Sequence, residues 1–323
     1  MPALLNTVDP EGLEEFSVVF TDRSLNHMSA AFQGVMRDIS AMLKEVYNAE
    51  AVAVVPGGGT FGMEAVARQF AHGVDVLVVR NGWFSYRWSQ IIENGDLTGN
   101  ATVLKARMQG NSTPAPFAPC PIDEVLEAIR AQKPKVVFAP HVETSAGVIL
   151  PDDYIKQMAE AAHEVGALMV LDSIASGCAW VDMKALGIDV LISAPQKGWS
   201  ASPSAGLVMM SARAVARLAE TTSDSFAIDL GKWYSIMQAY ENGGHAYHST
   251  MPTDALRGFR DTMKETQAYG FERLKEAQWR LGDGVRNMLA ERGVVSVAAE
   301  GYGAPGVVVS YTNDPSVQNG KAF

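Results

Sequence analysis

Three segments carry residue types that offer chemistry beyond packing. Pro56-Gly57-Gly58-Gly59-Thr60-Phe61-Gly62 sets small residues between an apolar run and a helical pattern. Such residues let backbone N–H groups close on an anion at a helix N-terminus, where the macrodipole adds attraction. Leu168–Ser173 is an apolar run that ends on the carboxylate of Asp172. A carboxylate at the end of a buried strand is costly unless a cation pairs with it; an ordinary N-cap for the next turn is the alternative. In Ser193-Ala194-Pro195-Gln196-Lys197-Gly198-Trp199 a lysine again follows a buried-type strand. Desolvation there lowers a lysine's pKa and makes it a nucleophilic amine. A surface lysine with a snorkelling stem is the competing reading.

The glycine segment also admits a different chemistry. Gly57, Gly59 and Gly62 have the spacing G-x-G-x-x-G, which in a dinucleotide site calls for Asp or Glu about 20 residues on. Arg80 and Asn81 stand there instead. Arg80 suits a 2′-phosphate, so an NADP-dependent oxidoreductase remains an alternative. Other arrangements fail. Gly62 is followed by Met63 and Glu64, which excludes a Walker sequence. His141-Val142-Glu143 lacks the P-C-x-x-C half of a zinc deaminase. His245 and His248 have no third ligand in view, so no metal is expected.

The elements that must position these residues alternate between strand and helix. The spacing predicts a helix over 28–47, capped by Asn26 or Ser29, then strands at 51–55, 74–79, 102–104, 135–139, 167–171, 190–193 and 207–210. Helices are predicted between them at 60–71, 83–93, 122–131 and 152–165, with one at 213–220 after the last strand. Apolar strands alternating with helices imply an α/β fold with a mostly parallel sheet sandwiched by helices. Ligands of such sheets sit at the strands' carboxyl ends. Beyond Thr253 a long helical stretch runs to about Arg292, followed by strands at 294–298 and 306–311. This is a smaller α+β unit.

The chain has 323 residues, 47 % of them apolar and 19 % charged, with a net charge of −10. That balance fits a globular protein of about two domains and disfavours nucleic acid or an anionic membrane as partner. Cys120 and Cys178 cannot build a disulfide framework. No segment approaches the roughly 18 to 20 apolar residues of a membrane span. The acidic N-terminus lacks a basic leader, and Gly320-Lys321-Ala322-Phe323 is no targeting tripeptide. A cytoplasmic location is expected.

Asp172 and Lys197, 25 residues apart, together with the glycine cluster, make the chain resemble pyridoxal-phosphate (PLP) enzymes of fold type I. It is most similar to the class V aminotransferases of the alanine/serine–glyoxylate group. The matching segments are Asp22-Arg23-Ser24, Pro56–Thr60, Asn81-Gly82-Trp83-Phe84, His141–Gly147, Leu171-Asp172-Ser173, Ser193–Lys197 and Tyr247–Pro252, in the family's order. The resemblance implies a large PLP-binding domain over 1–252 and a small C-terminal domain over 253–323. It implies a Schiff base on Lys197, with Asp172 pairing the pyridinium nitrogen. Gly58, Gly59, Thr60 and Gln196 would hold the phosphate. Phe84 would stack on the ring, with Trp83 its rival, and Ile174 would pack the opposite face. Thr144 would meet the ring hydroxyl. Tyr247 and Thr250 would reach the phosphate from a partner subunit, which makes a homodimer with shared active sites.

The implied reaction moves an amino group from a small amino acid of alanine or serine type to a 2-oxo acid such as glyoxylate or pyruvate. A PLP-dependent lyase or desulfurase is the alternative on the same scaffold. The stiff Pro119-Cys120-Pro121 context suits a desulfurase's mobile cysteine poorly. A non-catalytic dimeric binding protein is a further option. The chain departs from the family in three places. Asn6-Thr7-Val8-Asp9-Pro10 replaces a Pro-Gly-Pro turn, and Ser176–Trp180 replaces a glycine-richer run. No residue takes the part of the substrate-carboxylate arginine near the C-terminus, so the small domain is expected to be incomplete.

Overall fold

The computed structural model describes residues 25–111, 114–312, 314 and 316–317. The Asp22-Arg23-Ser24 segment, the Asn6–Pro10 stretch and Gly320–Phe323 lie outside them. Helix α1 (Ala30–Tyr47) starts where the Ser29 hydroxyl accepts from the Phe32 amide, and it buries Phe32, Val35, Met36, Ile39 and Leu43 along one face. The alternation then runs β1 (Ala51–Pro56), α2 (Gly59–Phe70), β2 (Val76–Arg80), α3 (Tyr86–Asn94) and β3 (Ala101–Lys105). A short antiparallel pair, β4 (Arg107–Met108) and β5 (Phe117–Ala118), precedes α4 (Ile122–Gln132) and β6 (Val136–Pro140). A second pair, β7 (Val142–Glu143) and β8 (Val148–Ile149), leads into α5 (Asp152–Glu164) and β9 (Leu168–Asp172). The chain continues through α6 (Met183–Leu186), β10 (Val190–Ser193), β11 (Ala205–Met210), α7 (Ala212–Glu220), α8 (Leu230–Glu241), α9 (Thr253–Tyr269) and α10 (Phe271–Ala290).

Seven strands form the central sheet in the order β1-β11-β10-β9-β6-β2-β3. The pairs from β3 through β10 are parallel, and β11 runs antiparallel to both its neighbours. Every residue of β6, β9, β10 and β11 is buried. Both sheet faces are therefore covered there, as continuous rather than alternating apolar strands require. The register sets Asp172 beside Pro140 of β6 and Ile192 of β10, at the carboxyl ends of all three.

The C-terminal part departs from expectation. The predicted long helix is two, α9 and α10, meeting at Gly270. Leu256, Phe259 and Met263 of α9 lie in the same core as α1. The strands expected at 294–298 and 306–311 reduce to isolated bridges, Ser296 with Ser310 and Ala298 with Phe117. Of the residues in both segments only Ala298 is buried, and Val297, Ala298 and Val307 meet only small apolar clusters; a two-stranded ribbon with so little packing is marginal. Helix α8 and the short pairs β4–β5 and β7–β8 had no sequence signal. Among the described residues no helix is long and apolar enough to cross a membrane.

Candidate active site

The sheet delivers Asp172 to the floor of a cleft. Its carboxyl is buried, and the Ile174 amide donates to Oδ1 at 3.0 Å. Burial pushes its pKa up to about 6; the Glu143 charge adds to the rise, while the Ile174 amide and the charges of Arg87 and Lys197 oppose it. A carboxyl held this way is short of a cation, which is what a strand-end acid in a ligand site needs.

Lys197 follows β10 on a tight turn, where the Ser200 amide donates to its carbonyl at 3.2 Å. Its side chain is exposed. The desolvation expected of it is therefore not provided by this chain's own packing. The turn itself is firmly set. A Cβ on Gly198 would stand 2.1 Å from the Gly177 carbonyl oxygen, so two loops touch backbone to backbone. Gly177 has φ +60°, and a Cβ there would meet Gln278 Oε1. Gln278 of α10 accepts from the Cys178 amide at 2.9 Å and donates to the Ser176 carbonyl at 3.1 Å. Behind it Trp180 packs on Trp199 with ring centroids 4.8 Å apart.

The glycine segment follows β1 at the same end of the sheet. Gly57 has φ +123°, a conformation open to glycine, and its amide donates to the Ser204 carbonyl. Gly58 is the N-cap of α2. The amides of Gly58, Gly59 and Thr60 have no acceptor among the described residues, as the start of a helix leaves them. A Cβ on Gly58 would meet nothing within 4 Å, whereas one on Gly59 would stand 2.5 Å from Ile174 Cδ1. Ile174, two residues after Asp172, thus lies against the cradle.

Two residues without a sequence-derived role complete the site. Glu143 is fully buried, and its carboxylate accepts five hydrogen bonds, from the amides of Phe84, Ser85 and Ser145 and the hydroxyls of Ser85 and Ser145. It fixes the turn that carries Trp83 and Phe84, which precedes α3 rather than being helical as predicted. Arg87 of α3 donates to Thr60 Oγ1 at 2.9 Å and lies 5.5 Å from the Phe84 ring centroid. A basic residue within an amphipathic pattern gives no sign of this. His141 Nδ1 lies 2.7 Å from Ser176 Oγ, and burial with the Lys275 charge pushes its imidazole down to about 3.

The cleft thus gathers Gly58, Gly59, Thr60, Asp172, Ile174 and Lys197. Phe84 borders it and is partly exposed, as is Trp83. Thr144 is half-buried, and its hydroxyl makes no hydrogen bond among the described residues. Gln196 is half-buried with an orphaned, buried Oε1; turning that amide over would present its NH2 to an anion. Tyr247 and Thr250 are not brought to Lys197. Both are exposed and line a separate groove of about 580 Å³ with Leu25–Met28 and Trp233. These groups fit a phosphorylated pyridine: unpartnered amides and open space at the start of α2, a buried carboxyl short of a cation at the end of β9, and an amine on the turn after β10.

Residues 13–309 match the family model described as aminotransferase class-V. Over 286 residues the chain is 27 % identical to the soluble hydrogenase small subunit of a Synechococcus species, covering 88 % of this chain and 71 % of that one. It is also 27 % identical over 272 residues to the L-aspartate–glyoxylate aminotransferase of Paracoccus denitrificans, covering 81 % and 64 %. The chain therefore spans about two thirds of the length of these relatives. Its fold matches the crystal structure of an alanine–glyoxylate aminotransferase from a Nostoc species, with a TM-score of 0.77 at 22 % identity, over 90 % of this chain and 74 % of that one.

Proposed function

Because the chain belongs to the class V aminotransferases, we propose that it moves an amino group from a small amino acid of alanine or serine type to a 2-oxo acid of glyoxylate or pyruvate type. The family is PLP-dependent, and the bound cofactor supplies an electron sink for negative charge at the amino acid's Cα. The observation that carries the proposal is the placement of Asp172 and Lys197 at the ends of adjacent parallel strands, at the sheet end where α2 also begins. Asp172 keeps a proton on the ring nitrogen. Lys197 Nζ would hold the cofactor and would take up the proton of the substrate Cα. The α2 amides, the Thr60 hydroxyl and Gln196 bind the phosphate. Phe84 and Ile174 flank the ring, and Thr144 orients its hydroxyl.

The proposal extends to the assembly. Residues 1–252 act as the large cofactor-binding domain and 253–323 as the small one, in a cytoplasmic homodimer where Tyr247 and Thr250 serve the partner's phosphate site. A desulfurase is less well supported: burial pushes the thiols of Cys120 and Cys178 up, away from the reactive thiolate. For the NADP alternative, the Arg80 guanidinium is already engaged, 4.7 Å from the Tyr86 ring centroid.

The test loads the purified protein with PLP, reduces it with borohydride and maps the labelled peptide. The label is expected on Lys197 and absent from Lys197→Ala, which retains non-covalent PLP but loses turnover. A panel of alanine, serine and aspartate against glyoxylate and pyruvate then ranks donors and acceptors. PLP recovered as pyridoxamine phosphate after donor alone supports transamination. Release of pyruvate or sulfide instead, or binding of NADPH without PLP, overturns the proposal.

A further inference from the structure

Arg87 is a half-buried cation that acts on the Asp172 carboxyl only at a distance and makes no ion pair among the described residues. Arg68 and Arg260, of comparable burial, each hold two acidic partners. No acidic side chain lies within ion-pair distance of Arg87 among the described residues, in a chain with ten excess negative charges. Its one hydrogen bond among the described residues goes to Thr60 Oγ1, in the first turn of α2. A guanidinium has five N–H donors in a planar fork, so most of its capacity is left for another acceptor. The bond also acts on Thr60. A hydroxyl that accepts from Arg87 keeps its own proton free to donate, and the neighbouring amides of Gly58, Gly59 and Thr60 are likewise without acceptors.

We propose that Arg87 is the cation of the phosphate site, binding the cofactor phosphate with its guanidinium and turning the Thr60 hydroxyl toward it as a donor. This rests on the PLP reading above. Lys197 is committed to the carbonyl end of the cofactor, so Arg87 is the cation available to add to the α2 amides, and a planar fork suits phosphate oxygens. The Phe84 ring beside the same guanidinium ties the phosphate anchor to the residue proposed to stack on the ring.

The test measures equilibrium binding of PLP and of pyridoxal, which lacks the phosphate, to cofactor-free wild type, Arg87→Gln and Arg87→Lys. Arg87→Gln is expected to weaken PLP at least about tenfold and to leave pyridoxal within about twofold. Arg87→Lys, which keeps the charge but not the fork, should fall between. Inorganic phosphate should compete with PLP on wild type and much less on Arg87→Gln. Equal weakening of both ligands would mean that Arg87 merely shapes the cleft, and overturns the proposal. Unchanged PLP affinity with a raised KM for the amino donor overturns it in favour of a substrate-carboxylate role. Wild type that binds no PLP refutes the PLP reading itself, a distinct outcome. If Arg87→Gln does not fold, Arg87→Lys carries the same PLP-to-pyridoxal comparison.

Discussion

At the residue scale Asp172 trades stability for chemistry. Burial lifts its pKa from 3.8 to about 6, so without cofactor the folded state binds this proton more tightly than the unfolded chain. The associated stability is fully present below pH 3.8 and is lost as pH rises through 6. Cofactor-free Asp172→Asn should therefore be more stable than wild type at pH 8, by about 2–3 kcal/mol. The gap should shrink as pH falls from 6 toward 4, read from urea unfolding at each pH. The same variant should transaminate roughly 100-fold or more slowly, because the amide does not hold the ring-nitrogen proton. Glu143 makes the opposite case, a buried carboxylate with five donors converging on it. Glu143→Ala removes the acceptor of all five and strands the buried Ser85 amide, and should cost about 3–5 kcal/mol in thermal or urea unfolding. Asp172 was legible because it ends an apolar run. Glu143 was not, because donors from 84–85 meet it only through the fold.

At the element scale the glycines separate two kinds of constraint. Gly58 faces open space, Gly59 faces Ile174, and Gly198 faces the backbone of Gly177. Gly58→Ala should keep its unfolding free energy within about 0.5 kcal/mol of wild type. Gly59→Ala and Gly198→Ala should each lose about 1–3 kcal/mol by overpacking. Gly198→Ala should in addition lower borohydride labelling of Lys197, since the turn carrying the lysine must move. Labelling unchanged in Gly198→Ala would show that the turn tolerates displacement. The ends of β6, β9 and β10 were readable because strands buried on both faces are apolar throughout. The clamp on the lysine turn was not, since Gln278 reaches the 176–178 loop from 100 residues away. The exposure of Lys197 was equally hidden, because a desolvated lysine must be covered by elements that its own strand does not specify. Strands at 294–298 and 306–311 failed for a related reason: only Val297, Ala298 and Val307 of their apolar residues meet small apolar clusters, around Val148 and Val142, so no continuous face holds a ladder.

At the scale of the whole molecule, the cleft and the Tyr247–Thr250 groove are separate places on one chain. Trp83 is 64 % exposed beside the cleft and Tyr247 65 % in the groove, which leaves both side chains free to meet a partner. If the groove of one subunit serves the partner's cleft, as proposed, a two-fold dimer would make that contact twice and complete both sites. Sharing of this kind is testable by mixing two inactive variants. A Lys197→Ala subunit retains Tyr247, and a Tyr247→Ala subunit retains Lys197. In a mixed dimer the cleft with Lys197 would face the intact Tyr247 of its partner, while the other cleft would lack both. Refolding equal amounts together should restore about one quarter of wild-type activity, since about half of the dimers are mixed and each has one good site. If Tyr247 served its own subunit's cleft, mixing would leave the activity at the mean of the two parents. Size-exclusion chromatography with light scattering on the same samples reports whether the dimer forms at all.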